Sequence, residues 1–534
     1  MKTPLIILIT IFSSMYLALG KGIDMDQWQE DIEVLAADDM YGRGSGQIGG
    51  KLAADYIAER LKKIGVSTFP NMVGYRQHVP IQSCNVSDNT KLALSNSDGG
   101  KLAEYGQDYL LYNKCSLIDI TEGKELQFLG FGIQDISADW DDYKDIDVKG
   151  KIVVILEGIP LGVKINPRYG AVDYKQRTAL QNGALGVIFV PLISSFEEWE
   201  HLAMHLESES QRLAYSLIPG FSAIWNPFSL DLLGFSLKDY AYYHSSDYAK
   251  NRSLLSINDR SLLFQSGLVQ KEFTSDNIIG FIPPKSGSQE FIVLSSHYDH
   301  LGIGKSVAGD SIYNGLYDNA MGVASLLALA SNMKSNEKII GERGVIFLFT
   351  TAEEKGLLGS RYFTDDPAVP ISNIVANINI DGISAFGNAI DYFALGAEYS
   401  SLGGIAKNIL EASDARIENV PDIFGPEDHY KFSDQYSFAL RGIPSIMIVD
   451  GISHKGIDDS QIMARIQEYS EAKYHTPFDD LTLDIDLEGA KAHTLLLYNF
   501  AVALTDRSFS VKWNPDSPYQ RQREEKLTFH HFSE

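Results

Sequence analysis

At 534 residues the chain exceeds what one hydrophobic core organises, and two or three domains are expected. A hydrophobic content of 44% beside 22% charged residues marks a globular protein. The net charge of −25 argues against nucleic acid as a partner, because the Lys/Arg surface that neutralises phosphates is missing, and it suits a site that collects cations.

Residues 1–20 combine Lys2, an apolar stretch from Leu5 to Leu19 and the small residues Ala18 and Gly20. That is the layout of a secretory signal peptide cut after Gly20, with an uncleaved anchor as the alternative. No later segment approaches the roughly 20 apolar residues of a membrane span. The expectation is export to the periplasm or the extracellular space, with no stable span after cleavage. Cys84 and Cys115 are the only cysteines. They form one bridge or remain two buried thiols, and they are too few for a Cys-rich zinc site, so any metal must be held by His and carboxylates.

From Asp24 to Val66 apolar residues recur at helical spacing. The glycine-rich loop Met40 to Gly46 between the two helical stretches lacks the spacing of a dinucleotide fingerprint and reads as a turn that places Arg43. Around Gln77 the pattern changes to short apolar runs at 91–94, 109–112 and 126–131 separated by turns, which predicts β structure. Asp145 to Pro160 is a turn followed by an apolar strand. A helix over Tyr174 to Asn182 then leads into a second strand, Gly183 to Val190. His201 and His205 have the i, i+4 spacing of a zincin pair, but Leu202 stands where the glutamate base belongs, which leaves the pair as a surface or lid feature.

Past Asp276 strands and helices alternate. Strands are predicted at 291–296, 344–350, 374–380, 390–395 and 443–449, and helices at 320–333, 357–364, 400–412 and 486–504. Such alternation predicts an α/β fold, a mixed, largely parallel sheet sandwiched by helices. Residues 506–534 read as a polar tail. The run Phe291 to Ser296 is a buried strand that delivers His297-Tyr298-Asp299-His300 to the sheet rim, where open α/β sheets bind ligands. The same rim should receive Asp318 at a helix N-terminus, Glu353 and Glu354 after the second strand, and Asp381 after the third. His475 is brought by a later loop. Gly304-Lys305-Ser306 lacks the first glycine of a phosphate loop, and no Gly-x-Ser-x-Gly exists for a serine hydrolase.

Two resemblances follow. Lys149 to Val154, a helix and Gly183 to Ile188 resemble the protease-associated (PA) domain, which implies a smaller β-rich insert over 116–272. The tracts HYDHLG, YDNAMG, TAEEKGLLGS, NIDG and YHTPFDD, in that order, resemble the co-catalytic zinc peptidases of family M28, mostly aminopeptidases, and imply a peptidase domain over 21–115 and 273–505. By that resemblance two zinc ions are bound per chain, one by His297 and Asp381 and the other by Glu354 and His475, with Asp318 bridging. It further implies peptide hydrolysis through a bridging hydroxide, with Glu353 as general acid/base, Asp299 orienting His297 and Tyr474 donating to the oxyanion. His300 has no ligand role and is expected beside the site or at its rim. Gln435 departs from a tract in which the family often carries His. Specificity is expected from the loops Phe424 to Tyr430 and Ser433 to Phe438 and from the insert. A carboxypeptidase would need a cation, for which Arg43 and Arg441 are available. A binding module with a relic peptidase domain, or a single-zinc cyclase, are the other readings.

Overall fold

The computed structural model describes residues 22–520 apart from 98, 136–137, 164, 166, 208, 216–219, 258, 286 and 422–428. The expected signal peptide at 1–20, most of the loop from Phe424 to Tyr430 and the end of the tail lie outside these residues. The chain forms two compact units, one from the residues up to Pro80 and from Thr274 on, the other Ile81–Phe273.

The first unit opens with α1 (Met25–Leu35) and α2 (Ile48–Ile64). Asp24 caps α1 by accepting the N–H of Gln27, and Gly65 ends α2 in the left-handed region at φ 81°, where a side chain would be strained. Strand β1 (Arg76–Val86) carries the chain out of this unit, and β2 (Leu268–Ile282) carries it back. There follow β3 (Phe291–His297), α3 (Met321–Ser335), β4 (Gly344–Thr350), α4 (Leu358–Asp365), β5 (Ile374–Asn379), β6 (Asp391–Leu395), α5 (Leu402–Ala412), β7 (Arg416–Glu418), α6 (Gln435–Leu440), β8 (Ser445–Asp450), α7 (Asp459–Ala472) and α8 (Leu487–Thr505).

Strand order in the sheet runs β1–β2–β4–β3–β5–β8–β6–β7. β4, β3, β5 and β8 are mutually parallel, whereas β2 and β6 run antiparallel to their neighbours β4 and β8. The sheet is therefore mixed with a parallel centre, as the alternation of elements predicts. β3 and β4 are buried at every position, which explains their continuous apolar runs in place of an alternating pattern. α3 and α8 are apolar nearly all round and buried along most of their length, as helices covered by both the sheet and other helices must be.

The second unit is built on an eight-stranded sheet. Its centre is parallel: Ile120–Phe128, Ile152–Leu156, Gly186–Val190 and Phe221–Trp225 lie side by side. Lys91–Asn96 pairs antiparallel with Ser261–Gln265, and Tyr109–Leu111 with Phe221–Trp225. The second unit thus starts at Ile81, ahead of the insert expected over 116–272, and the strands Lys91–Asn96, Gly99–Ala103 and Tyr109–Leu111 take their places in its eight-stranded sheet. Cys84 and Cys115 form a disulfide, which decides the question the sequence left open. His201 and His205 belong to the helix Phe196–Glu207, and their side chains lie outside the described residues.

Candidate metal centre at the carboxyl edge of the sheet

The parallel register does most of the assembly. His297 pairs with Thr350 and Ser295 with Asn379, so the chains leaving β3, β4 and β5 emerge side by side at one edge. β3 delivers His297 itself. Beyond β4 the backbone turns at Ala352, a buried residue at φ 53°, and presents Glu353 and Glu354. Beyond β5 comes Asp381. The loop after α7 brings His475, also in the left-handed region at φ 56°. Non-glycine residues held there cost energy and cluster at functional sites.

Asp318 sits between the two histidines. Its Oδ1 lies 3.3 Å from Nε2 of His297 and its Oδ2 lies 3.3 Å from Nε2 of His475. Asp381 Oδ1 approaches His297 Nε2 at 3.1 Å, and Glu354 Oε2 approaches His475 Nε2 at 3.2 Å. Two poles result, His297 with Asp381 and His475 with Glu354, and one carboxylate faces both. The sequence-predicted ligands converge in one place.

Three of the residues at this edge have specific surroundings. Asp299 does not hold His297 by its carboxylate: the imidazole Nδ1 lies 3.1 Å from the backbone oxygen of Asp299 and 4.0 Å from its Oδ1. That carboxylate instead accepts the N–H of Glu353 at 3.0 Å, so it fixes the turn that aims the glutamates. Asp318 does not cap α3; it lies in the preceding turn, Leu316–Ala320, after which Asn319 Oδ1 accepts the N–H of Gly322. Of the two places expected for His300, the structure gives the one beside the site: it is fully buried, with Nδ1 2.7 Å from Glu354 Oε1, where it steadies a candidate ligand. Tyr474 is half exposed, and its ring stacks on His475 with centroids 3.9 Å apart.

Other supports escaped sequence reasoning. Asn319 donates to Ser296 Oγ and to the Ile380 carbonyl, and its Oδ1 also accepts the N–H of Gly382, so one amide ties the ends of β3 and β5 to the start of α3. Asp479 accepts the N–H groups of Tyr317 and Asp318 and the hydroxyl of Tyr469. Asp434 is buried beside the site and accepts the Thr350 hydroxyl. Asn319 and Asp479 fall inside the quoted tracts YDNAMG and YHTPFDD, yet a buried Asn or Asp cannot be told from a turn former by type alone. Arg43 is wholly buried and donates to the backbone carbonyls of Leu35, Tyr298, Asn314 and Gly315. It is a strap to three other segments and no substrate cation; Arg441 pairs with Asp365.

Electrostatics follow from burial. Burial works against the imidazolium of His297, but Asp381, Glu353 and Asp318 outweigh it and hold the ring well above its usual range. His475 is likewise pushed up to about 10, Glu354 and Asp318 overcoming burial. Burial and Asp318 raise Glu354, but His300 and His475 hold it below the usual carboxylate range. Burial raises Asp318 too, and hydrogen bonds from His297 and His475 bring it well below. Glu353 moves the other way, raised well above the usual range by burial and then by Asp381 and Glu354. The cluster as a whole demands positive charge. Nε2 of His475 is buried between carboxylate oxygens of Glu354 and Asp318 at 3.2 and 3.3 Å, and groups of three donors recur around His297, His300 and the carboxylates. A thiol-free set of converging imidazoles and carboxylates fits zinc.

Residues 277–501 match the profile described as "Peptidase family M28". Over these residues the chain is similar to the peptidases of family M28. Among curated proteins, the vacuolar membrane protease of Saccharomyces cerevisiae is 32% identical over 166 residues, 28% of this chain and 16% of that protein. The vacuolar membrane protease of Lodderomyces elongisporus is 33% identical over 135 residues, 25% of this chain and 13% of that protein. The chain thus spans about a sixth or less of the length of these relatives. Among solved structures, an aminopeptidase from Aneurinibacillus sp. strain AM-1 superposes with a TM-score of 0.51 at 18% identity, covering 92% of this chain and 95% of the other. That likeness is one of fold. The matched segment begins at Asn277 in β2 and ends within α8, so it contains every residue of the candidate metal centre.

Proposed function

We propose that the chain is an exported zinc aminopeptidase that removes N-terminal residues from peptides and binds two zinc ions. The observation that carries the reading is the placing of Asp318 between His297 and His475, each with its own second carboxylate, beside the separate buried glutamate Glu353. His297 and Asp381 would hold one ion, Glu354 and His475 the other, and Asp318 both. Ions held there supply Lewis acidity, polarising the scissile carbonyl and bringing a water near neutral pH within reach of deprotonation.

The remaining steps belong to the protein. Glu353 takes the proton of the attacking water on its carboxylate and passes it to the leaving amine. Its raised affinity for a proton suits a group that must hold one between those two moments. Tyr474 donates its hydroxyl proton toward the carbonyl oxygen. The carboxylates gathered at the site give it the negative charge that attracts a free α-ammonium. With Arg43 committed to backbone carbonyls, the cation that a carboxypeptidase would need is not offered by that residue. Export is supported by the layout of residues 1–20 and by the Cys84–Cys115 disulfide, since such bonds persist in oxidising compartments. The inserted unit is read as a PA domain on its parallel strands and its helix Val172–Gln181.

A set of aminoacyl amides, each free and N-acetylated, assayed with and without a zinc chelator, tests this reading. Expected is hydrolysis of the free amides only, abolished by the chelator. Equal hydrolysis of blocked substrates, or activity indifferent to the chelator, would overturn it.

A further inference from the structure

In the inserted unit a cavity of about 540 Å³ opens between the start of the helix Phe196–Glu207 and the turns around Phe228 and Leu237. Leu192 is 61% exposed on its wall, Leu237 59% and Phe228 44%. Phe196, 50% exposed, extends the same surface, its ring centroid 6.2 Å from that of Phe228. Single exposed apolar residues are ordinary, but four large ones around one concavity form a patch of the kind that marks an interaction site. Hydrogen bonds tie its lining together: Tyr240 donates its hydroxyl to the Pro191 carbonyl, and Glu198 accepts both the N–H and the hydroxyl of Ser194.

The surroundings are acidic. Glu197, Glu198, Glu200 and Asp231 are exposed on the segments that carry Phe196 and Phe228, against the single Lys238 next to Leu237. That charge selects the occupant. A second copy of the chain would bring the same acids, within a net charge of −25, against one another, and an anionic lipid surface would be repelled for the same reason. A peptide with apolar side chains for the cavity and Lys or Arg for its rim satisfies both features.

We propose that this groove is a docking site for basic, apolar peptide segments, separate from the metal centre and not dependent on hydrolysis there. Cavities of this size hold one or two large side chains, and buried aromatic or aliphatic anchors carry most of the binding in such contacts.

The test uses the full chain and a labelled, N-acetylated peptide of Lys, Leu and Phe, titrated by fluorescence anisotropy with chelator present. Two control peptides replace Lys by Glu, or Leu and Phe by Ser. Expected is binding at least about tenfold tighter than for either control, weakened about tenfold or more by Phe228→Ser and, separately, by Leu192→Ser. Both positions are exposed, and an unchanged melting temperature would establish that each variant is folded. Glu197→Lys with Glu200→Lys should weaken the Lys peptide and strengthen the Glu peptide. The proposal is overturned if the Lys peptide does not bind, or binds with an affinity that none of these variants changes. It is also overturned if sedimentation shows a dimer that Phe228→Ser dissociates, or if the groove residues instead drive binding to phosphatidylglycerol vesicles.

Discussion

Glu353 and Glu354 are neighbours in the chain with opposite surroundings. Glu354 faces His300 and His475 and is held in its charged form, whereas Glu353 faces Asp381 and Glu354 and is pushed toward its neutral one. The Ala352 turn and the grip of Asp299 on the Glu353 N–H create that difference. Glu353→Gln is therefore expected to keep its metal while losing turnover by about 10²- to 10⁴-fold, read from zinc content and kcat on the same preparation. Asp479 acts at one remove, through the N–H groups of Tyr317 and Asp318. Asp479→Ala should weaken zinc affinity by about 10- to 100-fold, measured by competition with a chelator, with little change in kcat once the site is saturated. An unaltered affinity would remove its positioning role.

Among the elements, α4 matters for a reason invisible in its composition. A methyl group on Gly359 would meet the Thr351 carbonyl oxygen at 2.3 Å and Asn277 Oδ1 at 2.5 Å, so this helix start packs directly on the turn that presents the two glutamates. Gly359→Ala should displace that turn, lowering both zinc affinity and kcat, whereas substitution at the exposed Arg361 in the same helix should change neither. Activity at the wild-type level in Gly359→Ala would show that the turn tolerates the shift. The strands that carry the site could be read from sequence because both of their faces are buried, and a short continuous apolar run that ends in polar residues fits a covered strand better than any exposed element. α7 could not: only Ile462 and Tyr469 are buried in it, so no apolar face stands out, though it delivers His475. The metal-facing residues were legible through motif order. Asn319, Asp479 and Arg43 were not, since their work is hydrogen bonding to backbone groups brought from far along the chain, which leaves no periodic trace.

On the scale of the molecule, the chain divides its tasks between a unit closed around the metal cluster and an inserted unit with its own cores and disulfide. The bridge joins residues 31 apart, and a crosslink of that span removes enough freedom from the unfolded chain to contribute about 3.7 kcal/mol. Cys84→Ser with Cys115→Ser should lower the stability of the inserted unit by about 2–4 kcal/mol, seen as an earlier denaturant midpoint under oxidising conditions. Midpoints that coincide would mean that the bridge adds nothing to stability.

Metal analysis of protein purified in the presence of zinc and freed of loose ions is the most direct test of the central claim, that five separated side chains hold a pair of divalent cations. The expected result is close to two zinc per chain, reduced by Asp318→Ala. A content near zero in a folded preparation would contradict it.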